Sequence, residues 1–308
     1  MRKTYTHKGI TWIDLENPTL DEARQLISTY GIDPLVADEL LSPTVRSRVD
    51  LHKNFIYLIL HFPALSTKRT LHFEKRVQEI DFIIGKDFII TTHYDTLDSM
   101  HDFSRIFEVN SILDHSDMSE HGGYVFFYMI QHFYKELMDK IDDIRETLQE
   151  VEDHIFSGKE SKMVLELSRL NRLLLANKEA IALHKEVLES FEIAGLEFFG
   201  KEFKYHLRRI IGEYYKVNSA TESTRDYLHE LRDTNDSLLS TKQNEIMKNL
   251  TVVNFVFLPL ALIAGIFGMK AAYIPTFISQ KYDFIAILSL MVILSVSMVI
   301  YFKGKKWL

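Results

Sequence analysis

Residues 249–269 read NLTVVNFVFLPLALIAGIFGM, an uncharged run bounded by Lys248 and Lys270. At about 1.5 Å of rise per helical residue it is long enough to cross a hydrocarbon core of about 30 Å. A second uncharged run, FIAILSLMVILSVSMVIYF at residues 284–302, follows a short connector. Core helices of soluble proteins seldom need two such stretches in succession, so the pair reads as an antiparallel transmembrane hairpin. An even number of crossings puts both chain ends on one side. The start, MRKTYTHKGITW, has no apolar export segment, and Lys303, Lys305 and Lys306 follow the last span. Both termini are therefore expected in the cytoplasm, with the hairpin in the lipid of the cell (plasma or inner) membrane.

Upstream of the hairpin the composition excludes several function classes. The chain of 308 residues has no cysteine, which removes disulfide frameworks, thiolate metal sites and cysteine catalysis. A net charge of −7 argues against nucleic acid and suits cations. There is no phosphate-cradling glycine loop, nucleophile elbow or His-Glu-x-x-His helix, so nothing points to an enzyme or to a resident cofactor. His115, Asp117 and His121 in DHSDMSEHGG read as a solvated loop, and His93 in TTHYDT as a structural histidine.

The prolines bound where helices can run. None occurs from Ala64 to Leu258, so long helices are permitted there. Before that, apolar runs rich in β-formers at residues 9–15, 55–62, 76–84 and 87–93 read as strands, with a helix over residues 19–30 and a turn at Gly85-Lys86. This α/β domain is expected to occupy residues 1–122. Leu137, Ile141, Ile144, Leu148, Val151 and Ile155 recur at helical spacing, Ser157-Gly158 reads as a turn, and Met163 through Leu188 as a return helix. After Gly195 and Gly200 a helical pattern runs from Lys201 through the first span. The expected organisation is a helical hairpin and stalk over residues 123–250 and a transmembrane hairpin over 251–308, with spans near 250–269 and 284–302. A rod this long with a thin apolar stripe needs identical neighbours about a symmetry axis.

Along the end of that helix Asn244, Met247, Thr251, Asn254, Leu258, Ala261, Gly265 and Gly268 recur alternately three and four residues apart and share one small or polar face. Val252, Val253, Phe255, Val256 and Phe257 belong to the bulky remainder. Such a face either permits tight helix contact or lines an aqueous path in a symmetric bundle. Asn254 at mid-membrane needs water or a polar partner, and Pro259 is tolerable there and can bend the helix.

NEIMKNLTVVNFVFLPLALIAGIFGM, a short loop, a second span and a terminal KKWL resemble the CorA family of Mg²⁺ and Co²⁺ transporters. WIDLENPTLDE, ELLSPTVRSRVD, NFIYLILHFPAL and EIDFIIGKDFIITTH extend the resemblance over nearly the whole chain. It implies an α+β membrane protein that forms a funnel-shaped homopentamer, conducting a divalent cation passively through a pore lined by the first span. Carried over, Asn244, Met247, Leu250, Leu258, Ala261 and Gly265 fall on pore-facing positions, with Met247 and Leu258 as hydrophobic constrictions. Leu250 and Thr251 compete for one turn: the face count favours threonine and the resemblance leucine.

Two positions depart from the family pattern. The Gly-Met-Asn motif of the outer mouth reads Gly268-Met269-Lys270, a donor-only ammonium in place of an amide. Five such ammoniums about 8 Å from a divalent ion would oppose it by roughly 5 kcal/mol in unscreened water, unless Lys270 turns outward toward Asp283. By that resemblance the stalk Arg-Asp of the family's regulatory metal site reads Arg208-Arg209, so the sensing carboxylate is missing at Arg209; Glu213 is near enough to substitute, although most charges on an exposed helix are simply solvated. The alternatives are a homologue of altered selectivity, passing anions, and a non-conducting membrane scaffold or regulator.

Overall fold

The computed structural model describes residues 2–44, 46–63, 77–113, 121–268 and 283–305. They form two compact units, Met1–Arg232 and Asp233–Leu308.

In the first unit a six-stranded sheet is built from β1 (Arg2–His7), β2 (Ile10–Glu16), β3 (Arg48–Leu51), β4 (Phe55–Pro63), β5 (Val77–Gly85) and β6 (Phe88–His93), in the order β1-β2-β6-β5-β4-β3. All neighbours are antiparallel except β2 and β6, which are parallel. The expected strands all form, and the glycine at Gly85 closes the β5–β6 hairpin. β4 is an interior strand between β5 and β3 with both faces covered, which is why FIYLILHFP is a continuous apolar run and not an alternating one.

The helices α1 (Leu20–Tyr30) and α2 (Pro34–Glu39) cover one face, burying Ala23, Leu26 and Val36 with Ile13, Ile59 and Ile83 of the strands. Local chemistry sets their ends. Thr19 and Glu22 make a reciprocal capping box at the start of α1, Gly31 ends it at φ 64°, and Asp33 caps α2 ahead of Pro34. Against the other face pack α3 (Asp98–Leu113), α4 (Gly122–Phe156), α5 (Glu160–Ile181), α6 (His184–Phe199) and the first turns of α7 (Lys204–Gly268), which a 3-10 turn at Lys201–Phe203 precedes. Trp12, Phe82, Phe126, Phe191 and Leu207 belong to this larger core. Its helices are tied to α7 by Asn177 Nδ2 donating to Thr221 Oγ1 at 2.8 Å and by the Lys178–Glu222 ion pair at 2.8 Å.

Two expectations need correction. The return helix after Ser157-Gly158 does not continue to Leu188: α5 ends at Ile181 and α6 begins at His184. The reason is tertiary, because His184 is fully buried and its Nε2 hydrogen-bonds the His61 carbonyl of β4 at 2.7 Å. His121 is not part of a solvated loop. It caps α4, its Nδ1 accepting from Gly123 N at 3.1 Å, and its ring stacks on Phe199 at 4.3 Å. His115 and Asp117 lie outside the described residues. His93 has a structural place: Nδ1 donates to the Asp95 carbonyl at 2.6 Å, and Nε2 lies 3.3 Å from Asp14. Burial opposes its imidazolium, yet the hydrogen bond and charge of Asp14 outweigh burial and raise its pKa.

In the second unit the distal part of α7 lies beside α8 (Asp283–Gly304). Both helices are long and apolar enough to cross a membrane, and almost none of that apolar surface is covered within the chain. Pro259 is accommodated inside α7.

Candidate pore-lining helix face

On α7 each helical position is rotated about 100° from the last, so residues two apart point in nearly opposite directions. The contact with α8 shows which direction is occupied. Val252 is buried, Val256, Pro259, Ile263 and Phe267 are half-buried, and the Phe255 and Phe302 rings lie 6.2 Å apart. On α8 the matching stripe is Ile287, Met291, Leu294, Met298 and Phe302.

The face formed by Asn254, Leu258, Ala261, Gly265 and Gly268 is offset from that contact by two residues at each of the first four positions and points away from α8. All five are exposed, Leu258 at 70%. Toward the N-terminal side the stripe continues through Asn244 and Met247, also exposed. Leu250 is exposed, whereas Thr251 is half-buried and donates its hydroxyl to the Met247 carbonyl at 2.7 Å. Among the described residues a methyl group built at Gly265 or Gly268 would meet nothing within 4 Å. These glycines are therefore not needed for α8 to approach, and no described residue covers the small-residue face.

Chemically the face offers the Asn244 and Asn254 amides, helix backbone oxygens and apolar side chains, with no ionisable group among its described members. Amide oxygens of this kind can hydrogen-bond the water shell of a cation without replacing it. Met269 and Lys270 lie outside the described residues, as does the side chain of Asp283.

In the other unit Arg209 is engaged within its own chain. Its guanidinium lies 5.7 Å from the centroid of the Phe127 ring, and Nε and Nη2 reach the Gln131 side-chain oxygen at 3.0 and 3.3 Å when that amide presents its oxygen to α7. Arg208 Nε bonds Glu192 at 3.0 Å, and Glu213 pairs with Lys216 at 2.9 Å. Among the described residues no three His, Asp or Glu side chains converge as metal ligands.

The residues that sequence reasoning passed over are the buried carboxyls Glu79 and Asp81 of β5. The signal was present, because two acids two residues apart in an otherwise apolar central strand must share one face of the sheet.

Comparison with known proteins agrees with the fold. The profile of the CorA-like Mg²⁺ transporter protein family matches residues 7–305. The cobalt/magnesium transport protein CorA of Thermotoga maritima is 27% identical over 97% of this chain and 83% of its own. The complete structure of the CorA magnesium transporter from Methanocaldococcus jannaschii superposes with a TM-score of 0.80 at 20% identity, covering 97% of this chain and 92% of that one. The full-length CmaX protein follows with a TM-score of 0.71 at 15% identity, over 97% and 89%. The fold, the two membrane-spanning helices and a profile match over nearly the whole length lead to one conclusion: this chain belongs to the CorA-like Mg²⁺ transporter family.

Proposed function

We propose that five copies of this chain surround an axis in the cell (plasma or inner) membrane, with both termini in the cytoplasm, and pass a divalent cation of the Mg²⁺ or Co²⁺ class down its electrochemical gradient. The observation that carries this reading is the orientation of the small, polar face of α7, which points away from α8 over Asn254 to Gly268. A symmetric bundle turns such a face inward and its bulky remainder toward lipid and neighbouring helices. Mg²⁺ loses its water slowly, so a lining of amides and backbone oxygens suits transit with the hydration shell kept. Met247 and Leu258, both large and exposed, form apolar rings in such an assembly that close by dewetting. No resident cofactor is required, because the cation is the cargo.

The test is flux into liposomes loaded with a Mg²⁺-sensitive dye, with a halide dye as the parallel arm. Mg²⁺ entry that falls at least about tenfold in Gly265→Leu, with assembly intact, supports the reading. Halide entry alone would point to an anion path created by Lys270. Entry of neither ion would point to a scaffold or regulator.

A further inference from the structure

In the first unit the strand ends of β4, β5 and β6 surround a cleft of about 440 Å³, closed on its far side by the junction between α5 and α6. A volume of this size is in the range of small-molecule sites. Its described lining carries three carboxylates, Glu79, Asp95 and Glu179, and neither lysine nor arginine. Glu79 is only 6% exposed and accepts from Thr44 N at 2.6 Å and from Thr44 Oγ1 at 3.3 Å, while His61 Nε2, which hydrogen-bonds the Thr44 carbonyl at 3.1 Å, lies 3.3 Å from its carboxylate. Directly behind it on β5, Asp81 is 1% exposed, and its Oδ1 has no hydrogen-bond partner among the described residues. Its Oδ2 accepts from Tyr94, whose side chain borders the cleft.

The two histidines of the wall do not reverse this balance, because each already faces a carboxylate, His61 facing Glu79 and His93 facing Asp14. An anion is therefore disfavoured. A bare metal ion is a poor fit as well, since no three ligands converge among the described residues. Between the carboxylates the wall is apolar, with Val77, Leu97, Ala180 and Leu183. Separated negative groups joined by apolar surface complement a chain of ammonium groups joined by methylenes.

We propose that this cleft binds an aliphatic polyamine, its ammonium groups at Glu79, Asp95 and Glu179 and its methylenes along Leu97, Ala180 and Leu183. A ligand there bridges the sheet to the break between α5 and α6, so it stabilises the folded unit by binding it alone. The site is independent of the transport reading, and its test uses no flux.

The experiment is calorimetric titration of spermidine into the full-length protein in detergent, alongside thermal unfolding with and without spermidine. Two variants accompany it: Glu179→Lys, on an exposed position of α5, and Leu183→Trp, which narrows the cleft without changing its charge. Unliganded unfolding temperatures check that both are folded. The expected result is saturable binding near one spermidine per chain, a raised unfolding temperature, and affinity reduced at least about tenfold in Glu179→Lys, with a smaller loss in Leu183→Trp. Absence of saturable heat overturns the proposal. So does affinity unchanged in both variants, or equal displacement by Mg²⁺ at matched ionic strength, which would mean diffuse charge screening.

Discussion

Tyr134 on α4 donates a 2.8 Å hydrogen bond to Nδ1 of His184 at the start of α6, and that ring in turn donates from Nε2 to the His61 carbonyl at 2.7 Å. Both partners fix His184 as the neutral tautomer carrying its proton on Nε2. Burial disfavours the charged ring and lowers its pKa to about 4, against the smaller opposing effect of the His61 carbonyl.

A lowered histidine pKa has a definite sign. Between about pH 6.5 and 4 the unfolded chain binds a proton at this position that the folded chain refuses, so stability falls as pH falls through that window. The full loss is roughly 3 kcal/mol, from about 1.36 kcal/mol per pKa unit. Replacement His184→Gln, which keeps one donor and one acceptor, should flatten the slope between pH 7 and 4.5. Thermal unfolding of the detergent-solubilised protein, followed by circular dichroism, measures this. Equal slopes in parent and variant would exclude His184 as the titrating group.

Asp81 behaves in the opposite sense. Burial, reinforced by the neighbouring charge of Glu79, raises its pKa well above the ordinary carboxylate range. The protonated carboxyl is compatible with the folded state, so its contribution is complete at low pH and is lost as pH rises through the folded pKa. The nearly isosteric Asp81→Asn retains an oxygen to accept from Thr92 and Tyr94. It should raise the unfolding temperature more at pH 8.5 than at pH 5. A gain that is the same at both values would refute the ionisation argument.

Gly122 sits where α4 begins over the β5–β6 hairpin, and its N–H donates to the Lys86 carbonyl at 2.9 Å. A methyl group on its α-carbon would lie 2.4 Å from the Phe88 oxygen and 2.6 Å from the Gly85 oxygen, and neither backbone atom can turn aside. Gly122→Ala should therefore cost roughly 2 to 3 kcal/mol of stability by overpacking. Gly265→Ala, with no atom within 4 Å of the new methyl, should leave folding unchanged and serves as the paired control. Comparable destabilisation by both would contradict the close approach at Gly122.

In the proposed pentamer, replacing the Lys270 ammonium by an amide would remove a ring of positive charge. Lys270→Asn should raise initial Mg²⁺ flux in the liposome assay by about tenfold or more if the five lysines face the axis. Unchanged flux would indicate that Lys270 is directed away from the ion. The outward-facing arrangement then predicts that the exchange Lys270→Asp with Asp283→Lys retains assembly, read by the mass of the detergent complex.

Patterns of polarity carried most of the architecture. The runs ending at Lys248, Lys270 and Lys303 announced two spans because a charge in hydrocarbon is too costly to occur casually, and β4 to β6 announced themselves through β-branched and aromatic residues bounded by turns. The face from Asn254 to Gly268 was visible as a spacing, although the spacing alone left its surroundings open. Arg209 illustrates what a reading of the sequence omits: an arginine where the resemblance implies an acid was legible, but the guanidinium's engagement with Phe127 and Gln131 depends on α4 packing beside α7. The carboxyl pair on β5 was legible as a spacing, but the cleft beside it was not, because a cleft is a relation among strands and helices that are far apart in the chain.

By itself the sequence determined where the chain can cross a membrane, which segments become strands, and which helix edge is small, since each follows from local polarity, side-chain volume and period. Tertiary structure alone decided that α8 packs on the bulky side of α7, that α5 and α6 part at His184, and that His121 caps α4. The physical reason is that these outcomes depend on which distant surface a side chain meets, and no pattern within one helix or strand carries that information.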